Sequence, residues 1–213
     1  MPVIQLTKAG VLASTVEVER LRADFQAGNP VRIPRLFDPS LLSRVMSVVD
    51  EGEWTSYDGK FYREYVLEGV AREFLHFIAN RPDVLDLVRR ITALDSLTRF
   101  KGRIYRMVPN AGHIDAWHSD AAEGRRVGMS INLSPRGYRG GVFQMRNDAT
   151  GKIIAEIANT GLADAILFPL GLDLSHRVKE ISGEEAKTAF AGWYYENETS
   201  FWDWMRAGKS GGG

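Results

Sequence analysis

The chain has 213 residues, of which 27 are basic and 27 acidic, so its formal net charge at pH 7 is zero. An apolar fraction of 44% with 25% charged residues is ordinary for a globular protein, and this length predicts one domain. The balanced charge gives no indication of a nucleic-acid or membrane partner. Cysteine is absent, which excludes disulfides and thiolate chemistry.

Neither end of the chain indicates secretion or membrane insertion. The N-terminus has no basic region followed by a long apolar run, so we see no signal peptide. The longest apolar runs fall far short of the roughly 18 residues that span a bilayer. We therefore expect a cytoplasmic protein, and the sequence does not indicate its oligomeric state.

The first part of the chain is predicted to be mainly helical. Asp38 is a suitable N-cap, with Pro39 at the first helical position, and Gly28-Asn-Pro30 ends an earlier helix. Residues 53–68 are mixed and rich in aromatic side chains, and we expect them to help shape the entrance of a site. The predicted elements are short strands at 3–6 and 31–34 and helices at about 15–26, 38–49, 69–79 and 82–92.

From Leu97 to Tyr195 the chain changes to short segments of branched and aromatic residues separated by turn signals. About eight strands at this spacing favour a jelly roll, or double-stranded β-helix. The predicted strands lie near 98–108, 113–119, 126–133, 141–146, 152–158, 163–168, 173–179 and 186–195.

The predicted fold class is therefore mainly β with helical support (α+β), with the jelly roll preceded by N-terminal helices. We expect a single domain over residues 1–213, in which residues 1–96 support a catalytic core at 97–195. Residues 196–213 form a C-terminal extension, where Trp202 and Trp204 are expected to pack back on the core before a Gly-rich tail.

The segment Trp117-His118-Ser119-Asp120 predicts part of a metal site. Side chains two residues apart on a strand project from the same face, so His118 and Asp120 can share one ion. His176, on a later predicted strand, is the candidate third ligand. Two histidines and one carboxylate leave three coordination positions open, which suits non-haem Fe(II).

A second His-x-Asp pair, His113 and Asp115, overlaps the first and competes with it. Of the four histidines, only His76 lies in a predicted helix, and we assign it no role. The residues alone leave the choice between the two pairs open.

Several further motifs follow one another in a characteristic order, and through them residues 98–195 resemble the 2-oxoglutarate/Fe(II)-dependent oxygenases, in particular the prolyl-hydroxylase-like branch. Besides the metal segment, the motifs are Tyr105-Arg-Met-Val-Pro, the strand 127–133, Tyr138-Arg-Gly-Gly, Asp164-Ala-Ile-Leu-Phe, His176-Arg-Val and Lys187 shortly before Trp193.

The resemblance implies a role for each candidate site residue. His118, Asp120 and His176 would ligate Fe(II). Lys187 would pair with the distal carboxylate of 2-oxoglutarate, and the hydroxyl of Tyr105 could donate to this cosubstrate. Most relatives have arginine at the lysine position, and lysine offers a point charge in place of a two-pronged donor.

The resemblance also favours His118 and Asp120 over the upstream pair. Trp117 directly precedes them, and Arg126-Val-Gly-Met-Ser follows at the distance usual in the family. His113 and Asp115 would then lie near the entrance, contacting ligands or substrate, or in a polar loop.

The implied reaction uses O₂ to hydroxylate an unactivated C–H bond of a small molecule, amino acid or peptide, with succinate and CO₂ as coproducts. The aspartate favours hydroxylation over halogenation, because halogenases of this family lack the carboxylate. One alternative is a cupin-type metalloenzyme that does not use 2-oxoglutarate. Another is a non-catalytic binding module on a jelly roll, since a fold does not imply a function.

Overall fold

The computed structural model describes residues 4–122 and 124–196, so the predicted packing of Trp202 and Trp204 lies outside the described residues. The described elements are β1 (Ile4–Leu6), β2 (Val11–Ala13), α1 (Thr15–Gln26), β3 (Val31–Ile33), α2 (Pro39–Asp50), β4 (Trp54–Asp58), β5 (Tyr62–Leu67), α3 (Val70–Ala79), α4 (Pro82–Thr92), β6 (Leu97–Met107), β7 (Ile114–His118), β8 (Arg125–Asn132), β9 (Arg139–Gly140), β10 (Phe143–Asn147), β11 (Ile153–Ile157), β12 (Ala165–Pro169), β13 (Leu174–Val178), β14 (Ile181–Ser182) and β15 (Lys187–Glu196).

The four predicted helices are confirmed, with ends that differ by at most one residue. The carboxylate of Asp38 caps α2 by accepting a hydrogen bond from the backbone N–H of Leu41 at 2.6 Å. Both α2 and α4 have proline in the first turn, where its missing N–H costs nothing. No helix in the described part of the chain is long and apolar enough to cross a membrane.

The eight predicted strands of the second part are also confirmed, each within two residues of its predicted ends. The structure adds strands that the sequence did not predict, notably the β4–β5 hairpin within the aromatic stretch at 53–68. Strand β5 lies between β6 and β7 in the main sheet, and β3 pairs with β12 at its edge. The N-terminal part of the chain therefore contributes strands β3, β4 and β5 to the main sheet in addition to the four helices.

Eleven strands form one antiparallel sheet in the order β11-β10-β13-β7-β5-β6-β15-β8-β12-β3, with β4 attached to β5. The sheet curls until strands far apart in this order face each other. Phe143 on β10 and Phe168 on β12 are near opposite ends of the order, yet their ring centroids are 4.7 Å apart. The predicted jelly roll is confirmed, and its interior is a cavity between two sheet walls.

The helices cover the outer face of one wall. Alternation along β15 directs Phe190 and Tyr194 outward, where both are fully buried in the main apolar core with residues of α3 and α4. His76 on α3 reaches the sheet and accepts a hydrogen bond from the backbone N–H of Gly102 at 3.0 Å. The opposite face of β15 is turned toward the cavity.

Candidate metal centre and its cavity

His118 and His176 lie directly opposite each other on the neighbouring antiparallel strands β7 and β13, and their ring centroids are 4.4 Å apart. Asp120 follows β7, with Oδ2 3.3 Å from Nε2 of His176 and Oδ1 3.6 Å from Nε2 of His118. In this cluster, one donor atom from each residue lies within 4.8 Å of the others. Two imidazole nitrogens and one carboxylate oxygen at these separations could hold a metal ion.

The structure holds the Asp120 carboxylate in one orientation. The indole N–H of Trp193 on β15 donates a 2.6 Å hydrogen bond to Oδ2 of Asp120. Burial raises the pKa of Asp120, but His176, His118 and the Trp193 indole outweigh burial and hold the pKa at about 2. The carboxylate therefore stays ionised at neutral pH. Its Oδ1 faces Nε2 of His118 and lies 3.8 Å from Nη1 of Arg125.

The backbone sets the tautomer of His118. Its Nδ1 lies 2.7 Å from the carbonyl oxygen of Ala116, which can only accept, so Nδ1 carries the hydrogen. The unprotonated Nε2 then faces Asp120 and is the nitrogen available to a metal. Phe143 and Phe168 pack against the ring of His176, with centroids 5.7 and 4.9 Å away, and shield this side from water.

A β-bulge in β7 brings Asp115 into the cavity. Strict alternation would direct Asp115 and His118 to opposite faces of the strand, because they are three residues apart. On β13, however, their partners Val178 and His176 are only two residues apart, so β7 carries one extra residue. Both side chains consequently face inward, and Oδ1 of Asp115 lies 3.3 Å from Nδ1 of His118.

Burial raises the pKa of the Asp115 carboxyl, although His118, His176 and Lys187 act in the opposite direction. Its Oδ1 is buried, and the described residues provide it with no hydrogen bond. We expected Asp115 near the entrance of the site. The structure instead buries it in the cavity, beside the cluster of candidate metal ligands.

Lys187 begins β15 and is 3% exposed. Its Nζ donates to the carbonyl oxygen of Gly141 at 3.1 Å. Gly141 has a φ of +60°, and a Cβ there would lie 2.6 Å from Ile181 and 3.2 Å from Cδ of Lys187. Gly140 ends β9, and the absence of a Cβ on Gly141 leaves room for the side chain of Lys187. Burial lowers the pKa of Lys187 to about 8, against the charges of Asp115 and Glu64.

Tyr105 lies on the cavity face of β6 and is 4% exposed. Burial and the nearby charges of Asp115 and Glu64 raise its pKa well above the ordinary value, so its hydroxyl stays protonated and can donate. The cavity is lined by both sheet walls. Its lining includes Tyr62, Glu64, Arg103, Tyr105, Asp115, His118, Asp120, Phe143, Phe168, His176, Lys187, Ala191, Gly192 and Trp193.

No family model and no curated protein matches this chain. Solved structures do match, over most of its length. An oxidoreductase of the 2OG-Fe(II) oxygenase family from Burkholderia pseudomallei is similar at a TM-score of 0.67 and 15% identity, covering 91% of this chain and 96% of that one. A Pseudomonas putida prolyl-4-hydroxylase is similar at 0.61 and 15%, covering 85% and 100%.

The chain has the fold of the 2-oxoglutarate/Fe(II) oxygenases. A third protein with this fold, the epimerase SnoN from nogalamycin biosynthesis, was solved in complex with Fe³⁺ and alpha ketoglutarate. It matches at a TM-score of 0.63 and 13% identity, covering 86% of this chain and 85% of that chain. The fold expected from the sequence motifs is confirmed.

Within this oxygenase fold, His113 is separated from the metal cluster. Its Nδ1 accepts a hydrogen bond from the backbone N–H of Val108 at 2.9 Å, and its ring packs edge-on against Tyr65 with centroids 4.8 Å apart. His113 thereby supports the turn before β7, and of the rival pair only Asp115 reaches the cavity.

Two cavity residues were not predicted from the sequence, Glu64 on β5 and Arg103 on β6. Their side chains meet inside the fold, where Nε of Arg103 donates to Oε1 of Glu64 at 2.6 Å. A signal existed in the alternation of Tyr62, Glu64 and Val66, which project from one face of β5. A charged residue on an inward face breaks the apolar pattern that usually identifies a buried strand.

Proposed function

We propose that this protein is an Fe(II)- and 2-oxoglutarate-dependent oxygenase. It would hydroxylate an unactivated C–H bond of a small molecule, amino acid or peptide, with succinate and CO₂ as coproducts. The observation that carries the proposal is the cluster of His118, Asp120 and His176 inside an oxygenase fold. This set of donors suits Fe(II) and leaves positions open for other ligands.

The residues present fit the iron. His118 and His176 would hold it through Nε2, and Asp120 would hold it through Oδ1. When bound, iron with 2-oxoglutarate and O₂ supplies the oxidising power for C–H hydroxylation. The protein's part is to keep the ligands in place: the Ala116 carbonyl orients His118, and Trp193 restrains Asp120.

Another part of the cavity fits a carboxylate. Lys187 offers a buried ammonium group with one hydrogen bond to Gly141, and Tyr105 offers a protonated hydroxyl on the neighbouring strand β6. We infer that both bind the distal carboxylate of 2-oxoglutarate. Residues 1–213 would act as one domain, in which the N-terminal helices support the outer face of the catalytic sheet.

The test measures iron binding and succinate formation together. We expect His118→Ala and His176→Ala each to lose Fe(II) binding by titration calorimetry and substrate-dependent succinate formation. His113→Asn is the matched control, because asparagine retains an acceptor for Val108 and His113 lies outside the cluster. If either alanine variant retains full iron affinity and succinate output, or the control loses both, the assignment is wrong.

Binding of 2-oxoglutarate distinguishes the proposed oxygenase from a cupin-type metalloenzyme. We expect the iron-loaded protein to bind 2-oxoglutarate in an anaerobic titration. A cupin-type enzyme would bind iron without binding 2-oxoglutarate, and a non-catalytic module would take up no iron.

A further inference from the structure

The guanidinium group of Arg103 is held on the cavity wall by only part of its hydrogen-bonding capacity. Its Nε donates to Glu64, and its Cζ lies 4.2 Å from the ring centroid of Tyr62, over which the group is stacked. Its side chain is 25% exposed and that of Glu64 is 2% exposed. Within residues 4–122 and 124–196, the two terminal nitrogens of Arg103 have no protein acceptor.

Arg81 provides a comparison, because all three nitrogens of its guanidinium group donate to protein acceptors. Arg81, whose side chain is 15% exposed, uses Nε and Nη2 on the carboxylate of Asp83 and Nη1 on the carbonyl oxygen of Thr7. A guanidinium carries five N–H donors, and leaving them unpaired in a partly desolvated place is costly. The terminal nitrogens of Arg103 are not among the buried unpartnered atoms of the described residues, so they border open space and are free to take an acceptor from a ligand.

Arg103 and the lysine assigned to the cosubstrate have different hydrogen-bond partners in the cavity. The Tyr62 ring that carries Arg103 also packs against His118, with ring centroids 6.1 Å apart. Lys187 instead bonds to Gly141 and lies 6.0 Å from the ring centroid of Tyr138. The two cationic side chains thus have different hydrogen-bond partners, and Arg103 lies on the side of Tyr62 and His118. The ring of Tyr105 also lies beside Arg103, with its centroid 5.9 Å from Cζ.

We propose that Arg103 binds a carboxylate of the substrate, so that the substrate class of this oxygenase is carboxylic acids. This proposal rests on the proposed function. Glu64 fixes the Nε edge, Tyr62 fixes the plane, and the terminal nitrogens form the planar two-pronged donor that matches a carboxylate. A substrate anchored there lies beside the candidate metal ligand His118 and presents its C–H bonds to the same cavity.

The binding test uses acetate as the simplest carboxylate and acetamide as its neutral analogue. Arginine side-chain ¹⁵N resonances are followed during titration of the full chain with and without 2-oxoglutarate. We expect acetate, and not acetamide, to shift the Arg103 resonances saturably, and the shift should persist in Lys187→Ala. Saturable binding should disappear in Arg103→Gln, because the pair of donors is lost. A wild-type protein whose Arg103 resonances do not respond to acetate overturns the proposal.

Arg106→Gln is the matched control, because Arg106 lies on the same strand with its guanidinium over Trp54 at 4.0 Å and one bond to Thr188. We expect this control to bind acetate normally. Arg103→Gln should leave 2-oxoglutarate affinity within about twofold, whereas loss of a charged hydrogen bond to the cosubstrate would weaken it about tenfold or more.

Two outcomes separate this proposal from the proposed function. If Arg103→Gln weakens 2-oxoglutarate binding as strongly as Lys187→Ala, Arg103 belongs to the cosubstrate site and the substrate proposal is wrong. If a compound without an anionic group drives succinate release at full efficiency, the carboxylic-acid class is wrong although the oxygenase remains. Failure to bind 2-oxoglutarate at all contradicts the proposed function and leaves the acetate result to be judged by itself.

Discussion

The two faces of β15 have different roles: the outer face packs in the apolar core, and the inner face lines the cavity. Phe190 and Tyr194 point outward and are fully buried against the helices, where apolar burial stabilises the fold. Lys187 and Trp193 point inward, with only alanines between them on that face, and carry an ammonium and an indole N–H into the cavity. Substitutions on the outer face of β15 should therefore lower the free energy of unfolding. Substitutions on its inner face should weaken the binding of metal or cosubstrate.

The largest effect is expected on the outer face. Phe190→Ala removes a fully buried aromatic ring and should lower the free energy of unfolding by about 3–5 kcal/mol. Urea denaturation measures the loss. The variant that remains folded should bind Fe(II) with nearly unchanged affinity, because the ring faces away from the cavity. A loss below about 1 kcal/mol, or a large loss of iron affinity at full stability, would contradict the division between the faces.

On the inner face, Lys187→Ala should raise the 2-oxoglutarate concentration for half-maximal turnover roughly 10- to 100-fold, since a hydrogen bond to a charged group contributes about 1.5–3 kcal/mol. Steady-state succinate assays measure this. Lys179→Ala is the control, because Lys179 is exposed just after β13. An unchanged 2-oxoglutarate requirement in Lys187→Ala would remove the proposed role.

A smaller effect is expected from Trp193→Phe, which retains a ring but loses the N–H that restrains Asp120. Outer ligand contacts of this kind typically change metal affinity by about 10–100-fold, and we expect the lower part of this range. Titration with Fe(II) measures the affinity. The control Trp54→Phe alters an indole on β4 that lies under Arg106. Equal affinities in both variants would show that the indole does not position Asp120.

The sequence predicted the helices, the jelly-roll strands and the metal cluster because each leaves a local signal. The N-cap and the first-turn proline identified α2. The two-residue spacing made His118 and Asp120 one of two candidate pairs, and the resemblance to the oxygenases decided between them. The position of Asp115 depends on a bulge, which exists only once β7 is paired with β13. No local pattern could reveal it, because alternation directs the residue to the other face.

The pairing of Glu64 with Arg103 was not predicted either, although the alternation along β5 placed Glu64 on the same face as Tyr62 and Val66. The two residues are 39 positions apart, and a charged residue in a strand is normally interpreted as solvent-exposed. Only the placement of β5 between β6 and β7 brings both into the cavity. The sequence motif therefore revealed the candidate metal ligands, whereas Asp115, Glu64 and Arg103 join the site only through the pairing of strands.

The smallest effect is expected from pH, which should change the affinity for 2-oxoglutarate and the free energy of unfolding in opposite directions. Burial lowers the pKa of Lys187 to about 8, and 2-oxoglutarate requires its charged form. Affinity should therefore be level below about pH 7 and fall as the pH rises through 8, by at most about tenfold per pH unit. Anaerobic titration at pH 7 to 9.5 measures this.

Stability should change in the opposite direction over the same range. The unfolded chain keeps the Lys187 proton up to its ordinary pKa, whereas the folded protein without cosubstrate releases it near pH 8. Between these values the unfolded state binds more protons, so this group makes the free energy of unfolding rise with pH, by at most about 1.4 kcal/mol per unit. Lys187→Arg remains charged throughout and should flatten both profiles. If affinity and stability fell together in the wild type and the variant alike, groups other than Lys187 would be responsible for the pH dependence.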